Sequence, residues 1–136
     1  MGIYSFDIPG EPIPWSVWMR RSKPTLRQQA LKDYQLTIQI NLKGKYEIPP
    51  IKGPVILRFE FKMPLPKGVP KNPGKRNLWL KTHYPRHCDL RNLEKAAEDA
   101  CQGILFLDDR QVVFSSGNKE YAEDDKPKTL IFLDVP

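Results

Sequence analysis

The chain is organised around one stretch: His87-Cys88-Asp89-Leu90-Arg91-Asn92-Leu93-Glu94-Lys95-Ala96-Ala97-Glu98-Asp99-Ala100-Cys101-Gln102-Gly103-Ile104-Leu105-Phe106-Leu107-Asp108-Asp109-Arg110-Gln111-Val112-Val113. Asn92 to Gln102 has helix-forming composition, and Leu93, Ala96, Ala97, Ala100 and Ile104 give it a buried stripe. Asn92, Lys95 and Asp99 fall at i, i+3 and i+7 and share another face. Asp89 stands at the helix start and Gly103 ends the helix. Gln111 to Ser115 then reads as a strand. The stretch therefore joins an acidic loop end, a helix and a carboxylate pair, Asp108-Asp109, placed just before a strand.

Upstream, Ile3 to Ile8 alternates Tyr4, Phe6 and Ile8, the pattern of a strand with one buried face. Pro9-Gly10 ends it, and Pro12 and Pro14 keep the next residues extended. Trp15 and Trp18 follow among Arg20, Arg21 and Lys23. Two readings stand for them: aromatics that stack on bases beside phosphate-pairing cations, or residues of the core or of a dimer interface. From Thr25, the residues Leu26, Ala30, Tyr34, Ile38 and Leu42 recur every four positions, with Leu31 beside them. That stripe predicts a helix capped by Thr25 and Gln28 and stopped at Gly44, packed on a sheet. Val55 to Met63 gives the cleanest strand, with Val55, Leu57, Phe59, Phe61 and Met63 on the core side.

Pro64 to Arg86 holds five prolines, two glycines and six cations, Lys67, Lys71, Lys75, Arg76, Lys81 and Arg86, with no acidic residue. It predicts a long surface loop, running to about residue 88, with a short strand near Leu78 to Leu80. Its charge suits contact with phosphates, and the alternative is a solvated, mobile loop. Gly117 to Lys128 reads as a polar turn region and Thr129 to Val135 as the last strand. The order β-α-β-loop-α-β-β defines an α+β class: a small mixed or mostly antiparallel sheet with two main helices packed on it, one domain over residues 1–136.

The net charge of +6 is unevenly spread. Met1 to Cys88 carries 16 Lys/Arg against 5 Asp/Glu, and Asp89 to Pro136 carries 6 against 11. A basic portion beside an acidic one fits a nucleic-acid surface next to a metal cluster. Two cysteines, Cys88 and Cys101, are too few for a zinc site built mainly of thiolates. No apolar segment is long enough to span a membrane, and a reducing, cytoplasmic setting is the expectation.

Phosphodiester cleavage needs an activated water and compensation of phosphate charge. Two hard cations held by carboxylates supply both. Asp89, Asp108 and Asp109 are the candidate ligands, and Lys95 is placed to neutralise phosphate charge or orient the water. Each residue also has a plainer structural reading. Asp89 caps a helix, Asp108-Asp109 form a turn, and Lys95 pairs with Asp99 one turn away.

The joint order of these residues resembles the RusA-type Holliday junction resolvases, small homodimeric endonucleases often carried by prophages. That family's pattern is Asp-x-Asp-Asn-x-x-Lys-x-x-x-Asp-x-Leu, a short gap, then Asp-Asp-x-Gln-Val. Here the matching residues are Asp89, Asn92, Lys95, Asp99, Asp108, Asp109, Gln111 and Val112, and Ile8 to Pro14 is similar to the family's N-terminal Gly-x-Pro segment. The resemblance implies a bacterial or phage-encoded, homodimeric, Mg2+-dependent enzyme, with Mn2+ as a substitute, that cuts four-way DNA junctions. It implies that Asp89 and Asp109 are metal ligands and catalytic carboxylates, with Asp108 a further ligand. Lys95 would be the essential lysine, and Asn92 and Asp99 would support the site. Arg20, Arg21 and the six loop cations would meet DNA.

One position departs from the pattern. Arg91 stands where the family has a second acid, and a guanidinium cannot ligate a cation. Three outcomes follow: a protein that binds junctions without cutting, replacement of the missing ligand by Glu94 or Asp108, or a residue changed so as to trap a DNA complex. The competing reading is thus a non-catalytic branched-DNA-binding protein on the same fold. A weaker one is an RNA-binding domain.

Overall fold

The computed structural model describes residues 2–16 and 25–136. Four strands form one mixed sheet: β1 (Gly2–Pro9), β2 (Val55–Met63), β3 (Val112–Tyr121) and β4 (Lys128–Val135), in the order β1-β4-β2-β3. β4 runs antiparallel to both neighbours, and β2 and β3 are parallel. Helices α1 (Leu26–Lys45) and α3 (Leu90–Cys101) pack together on one face of the sheet, and α2 (Pro73–Thr82) stands apart. The α+β class and the mixed sheet agree with the sequence reading.

The core lies between that face and the two helices. Val55, Leu57, Phe59, Phe61 and Met63 are all buried, as the alternation in β2 predicts. They meet Phe6 and Ile8 of β1, Ile131 and Leu133 of β4, and Leu31, Tyr34, Ile38 and Leu42 of α1. Near the end of this core, the Tyr34 hydroxyl and Thr129 Oγ1 share a buried hydrogen bond of 2.6 Å, and burial pushes the Tyr34 phenol well above its usual range. Tyr34→Phe leaves the fully buried Thr129 hydroxyl without this partner and should cost about 1–2 kcal/mol, read as a lower urea midpoint with an unchanged slope. Wild-type stability in Tyr34→Phe would show that Thr129 finds another partner.

Several expectations need correction. Leu26, the first residue of α1, is 92% exposed and stands outside the buried stripe. Gln28 is buried in its place, closing a reciprocal capping box with Thr25. Gly44 does not stop α1, which runs to Lys45 and is capped at Tyr46, where the backbone N–H still reaches the Leu42 carbonyl. The residues read as a short strand near Leu78 belong to α2, a third helix. Asn72 accepts from the N–H groups of Gly74 and Lys75, and Pro73 opens the helix where no N–H is needed. β3 continues to Tyr121 through Gly117 and Asn118, which the sequence assigned to a turn.

Candidate active site

Asp89 is the N-cap of α3. Its Oδ1 accepts the backbone N–H of Arg91 at 2.9 Å, and the carboxylate faces the positive end of the helix while staying exposed. The approach to it is fixed by Lys119 of β3, whose Nζ donates to the Cys88 carbonyl at 2.6 Å. At the other end of α3, Gly103 turns the chain with φ +90°, a conformation that glycine adopts freely. The chain then reaches a single 3-10 turn, Asp109–Gln111, just before β3.

Gln111 anchors that turn. Its Oε1 accepts from the N–H groups of Leu107 (2.8 Å) and Asp108 (2.9 Å), and its Nε2 donates to the carbonyls of Ile51 (2.7 Å) and Gly53 (2.8 Å). Asp108 caps the turn through the N–H of Arg110 at 2.9 Å. The Arg110 guanidinium also engages both Asp108 oxygens, the shortest contact being 2.7 Å. Those bonds hold the Asp108 carboxyl well below the usual carboxylate range. Asp109, the next residue, is exposed.

A row of acids on α3 lies between Asp89 and Asp109. Arg91, Glu94 and Glu98 fall at i, i+3 and i+7 on one face. Glu94 lies across Gly117 of β3, where a Cβ would come within 2.5 Å of Glu94 Oε1. Burial pushes the Glu94 carboxyl up, Arg91 draws it down and Asp89 pushes it up. Glu98 is raised by burial, then by Asp99, Asp109 and Glu94, with Lys95 opposing. Asp99 is raised by burial, lowered by Lys95 and raised by Asp109. Asp89, Glu94, Glu98 and Asp109 thus form one electrostatically linked row.

The donor chemistry of this row fits a hard divalent cation: oxygen ligands only, mutually repelling, with the Glu94 carboxylate seated so close over Gly117 that any side chain there would collide with it. Among the described residues no three acidic, His or Cys side chains stand close enough as placed to hold an ion. Asp108 is committed to Arg110. Lys95 does not pair with Asp99, so the plainer of its two readings does not hold. Its Nζ lies 4.6 Å from the centroid of the Trp15 ring. The Trp15 backbone N–H donates to the Asn92 carbonyl at 2.8 Å, seating the N-terminal segment on α3. A cleft of about 500 Å³ opens beside Asp89, walled by Pro12, Trp15, Arg27, His87 and Asn92.

The basic stretch forms an arm rather than an irregular loop. Lys67, Lys71, Lys75, Lys81 and Arg86 are exposed on it. α2 fully buries none of its residues but is tied down along its length and just beyond its end: Trp79 packs on Tyr121 with ring centroids 5.1 Å apart, Arg76 donates to the Glu123 carbonyl, and the Tyr121 hydroxyl donates to the Tyr84 carbonyl. Arg20 and Arg21, with Trp18 and Lys23, lie outside the described residues. Glu98 and Gly117 were not singled out in the sequence. The i, i+3, i+7 spacing of Arg91, Glu94 and Glu98 was the available signal.

The family model for the endodeoxyribonuclease RusA matches residues 9–133 of the 136. The chain belongs to the RusA endodeoxyribonuclease family, whose members are enzymes that resolve Holliday junctions. No curated protein matches the chain. Among the described residues no helix is long and apolar enough to cross a membrane.

Proposed function

We propose that this protein is a divalent-metal-dependent Holliday junction resolvase that works as a homodimer and introduces paired symmetric nicks. The observation that carries the reading is the linked row of carboxylates from Asp89 through Glu94 and Glu98 to Asp109, flanked by Lys95 and a basic arm. Asp89 and Asp109 would hold Mg2+, or Mn2+ in its place, and Glu94 and Glu98 would supply the carboxylate that Arg91 displaces. A cation bound there would activate water and offset phosphate charge. Asp108 serves the turn through Arg110, which supports Glu94 over Asp108 as the replacement. Arg91 has a compensating effect, since its charge draws the Glu94 carboxyl down and favours the ionised form.

The chain's own residues would do the remaining work. Lys95 brings a positive charge to the scissile phosphate, while Asn92 and Asp99 bracket it on the same helix. Lys67, Lys71, Lys75, Arg76, Lys81 and Arg86 would contact the junction backbone, with Arg20 and Arg21 as further phosphate contacts, so recognition would rest on shape and phosphates. Binding should weaken with salt at a slope of about −0.9 per phosphate contact. A two-fold dimer places one acidic row at each of two symmetric strands. The edge position of β3, with Val113 and Phe114 exposed, leaves apolar surface for a second copy.

The test is cleavage of a labelled four-way junction with Mg2+ and with Mn2+, by the unaltered protein and by Arg91→Asp. The expected result is paired, cation-dependent nicking by both, with Arg91→Asp reaching half-maximal rate at about a tenfold lower cation concentration, since one ligand is restored and one positive charge removed. Tight junction binding without cutting by either protein would replace this reading with the branched-DNA-binding one. Equal affinity for linear duplex would remove the junction as substrate.

A further inference from the structure

We infer that Trp15 is a positioning residue that holds Lys95 ready for the phosphate without neutralising it. The inference rests on the proposed role of Lys95. A lysine has a flexible four-carbon stem and three donors. On α3, Lys95 has Glu98 three residues on and Asp99 four residues on, and both sense its charge. An ion pair with either would be the ordinary outcome at this spacing, and it would consume the donors that a phosphate needs.

The structure resolves that competition in another way. The Lys95 ammonium sits 4.6 Å from the Trp15 ring centroid. A ring face attracts a cation through its quadrupole and fixes its place, but it accepts no directional hydrogen bond of the N–H···O kind. The charge persists and donors remain free. The ring is itself well held. Pro12 and Pro14 restrict the approaching backbone. The Trp15 N–H is bonded to the Asn92 carbonyl one turn before Lys95, at 2.8 Å, and the side chain is half-buried against the core beside Ile13. Trp15 also lines both the cleft that contains Asp89 and a smaller recess that contains Asp99. It therefore stands where it can keep the lysine out of the acidic partner's reach. Neither earlier reading of Trp15, as a base-stacking platform or as plain core, includes this contact.

The test uses the full-length protein on a four-way junction with Trp15→Leu, Trp15→Phe, Lys95→Met and the double variant Trp15→Leu with Lys95→Met. Trp15→Leu should lower kcat about tenfold, the scale of a partly desolvated cation–π contact, with KM changed less than about threefold. Trp15→Phe should recover most of the rate. The double variant should be no slower than Lys95→Met alone, because the tryptophan acts through the lysine. The side-chain methylene protons of Lys95 should show an upfield ring-current shift by NMR that Trp15→Leu abolishes. Should Trp15→Leu fail to fold, the Phe variant and the NMR shift in the unaltered protein still decide the matter. Full activity in Lys95→Met would sink the reading of the lysine itself. An impaired Lys95→Met beside a normal kcat in Trp15→Leu would sink only the role of Trp15. So would a loss in KM alone, or losses that add in the double variant, since a base-stacking or purely structural tryptophan would give those results.

Discussion

Asp109→Asn should abolish junction cleavage while leaving the fold and junction binding in place. Asp109 is exposed, and its charge is felt by Glu98 and Asp99 on the neighbouring helix. Asparagine keeps the volume and one carbonyl oxygen but removes the negative charge that a hard cation requires. The expected loss in kcat is about 10³-fold, equivalent to about 4 kcal/mol of transition-state stabilisation. The Kd for a four-way junction, measured without divalent cation, should change less than about threefold and should tighten if it moves, because one charge repelling the phosphates is gone. Asp108→Asn is the informative control. It loses the paired contact with the Arg110 guanidinium but keeps a side-chain oxygen able to cap the turn. Its rate should stay within about tenfold of the unaltered protein. If Asp108→Asn proved the silent variant and Asp109→Asn the active one, the roles of the two carboxylates would have to be exchanged.

The acidic row also shows what the sequence could and could not reveal. Residue types and order placed Asp89, Lys95, Asp108 and Asp109 around one helix, and the strong alternation of β2 together with the four-residue stripe of α1 gave the core. Those signals are legible because they come from burial, which selects side chains by period. Other elements answer to different forces. α2 has no apolar stripe, since it fully buries none of its residues, so only the Asn72-Pro73 start could have revealed it. The second half of β3 is an edge segment, and residues on its helix-facing row serve polar partners: Gly117 lies beneath Glu94, Lys119 reaches the Cys88 carbonyl, and Tyr121 reaches Trp79 and Tyr84. Such a strand has mixed polarity and reads as a turn. Residue type alone does not tell Asp108 from Asp109; in the structure Asp108 pairs with Arg110 while Asp109 is exposed.

The same turn depends on a residue that carries no charge. Gln111→Leu should destabilise the protein by about 2–3 kcal/mol and should also slow cleavage at least tenfold. The amide of Gln111 uses its full capacity, accepting twice and donating twice, and it ties the turn at residues 107–111 to the segment at residues 51–53. Each bond is worth roughly 0.5–1.5 kcal/mol net, and the partly exposed groups at Gly53 and Leu107 can turn to water, which keeps the total well below four full bonds. Gln111→Glu separates the contributions. It retains the acceptors for Leu107 and Asp108, yet it sets a carboxylate against the carbonyls of Ile51 and Gly53 and adds a negative charge beside Asp108. It should therefore be nearly as unstable as the Leu variant at neutral pH. Protonation supplies one donor toward those carbonyls and removes the charge, so part of the difference from the unaltered protein should be regained as the pH falls below the carboxylate range. Urea unfolding at pH 7 and pH 4 reads the stability. Single-turnover nicking reads the placement of Asp109, which follows Asp108 directly and begins the turn that Gln111 closes. A Gln111→Leu protein as stable and as fast as the unaltered one would mean that the turn is held by Asp108 and Arg110 alone, with the glutamine a bystander to the site.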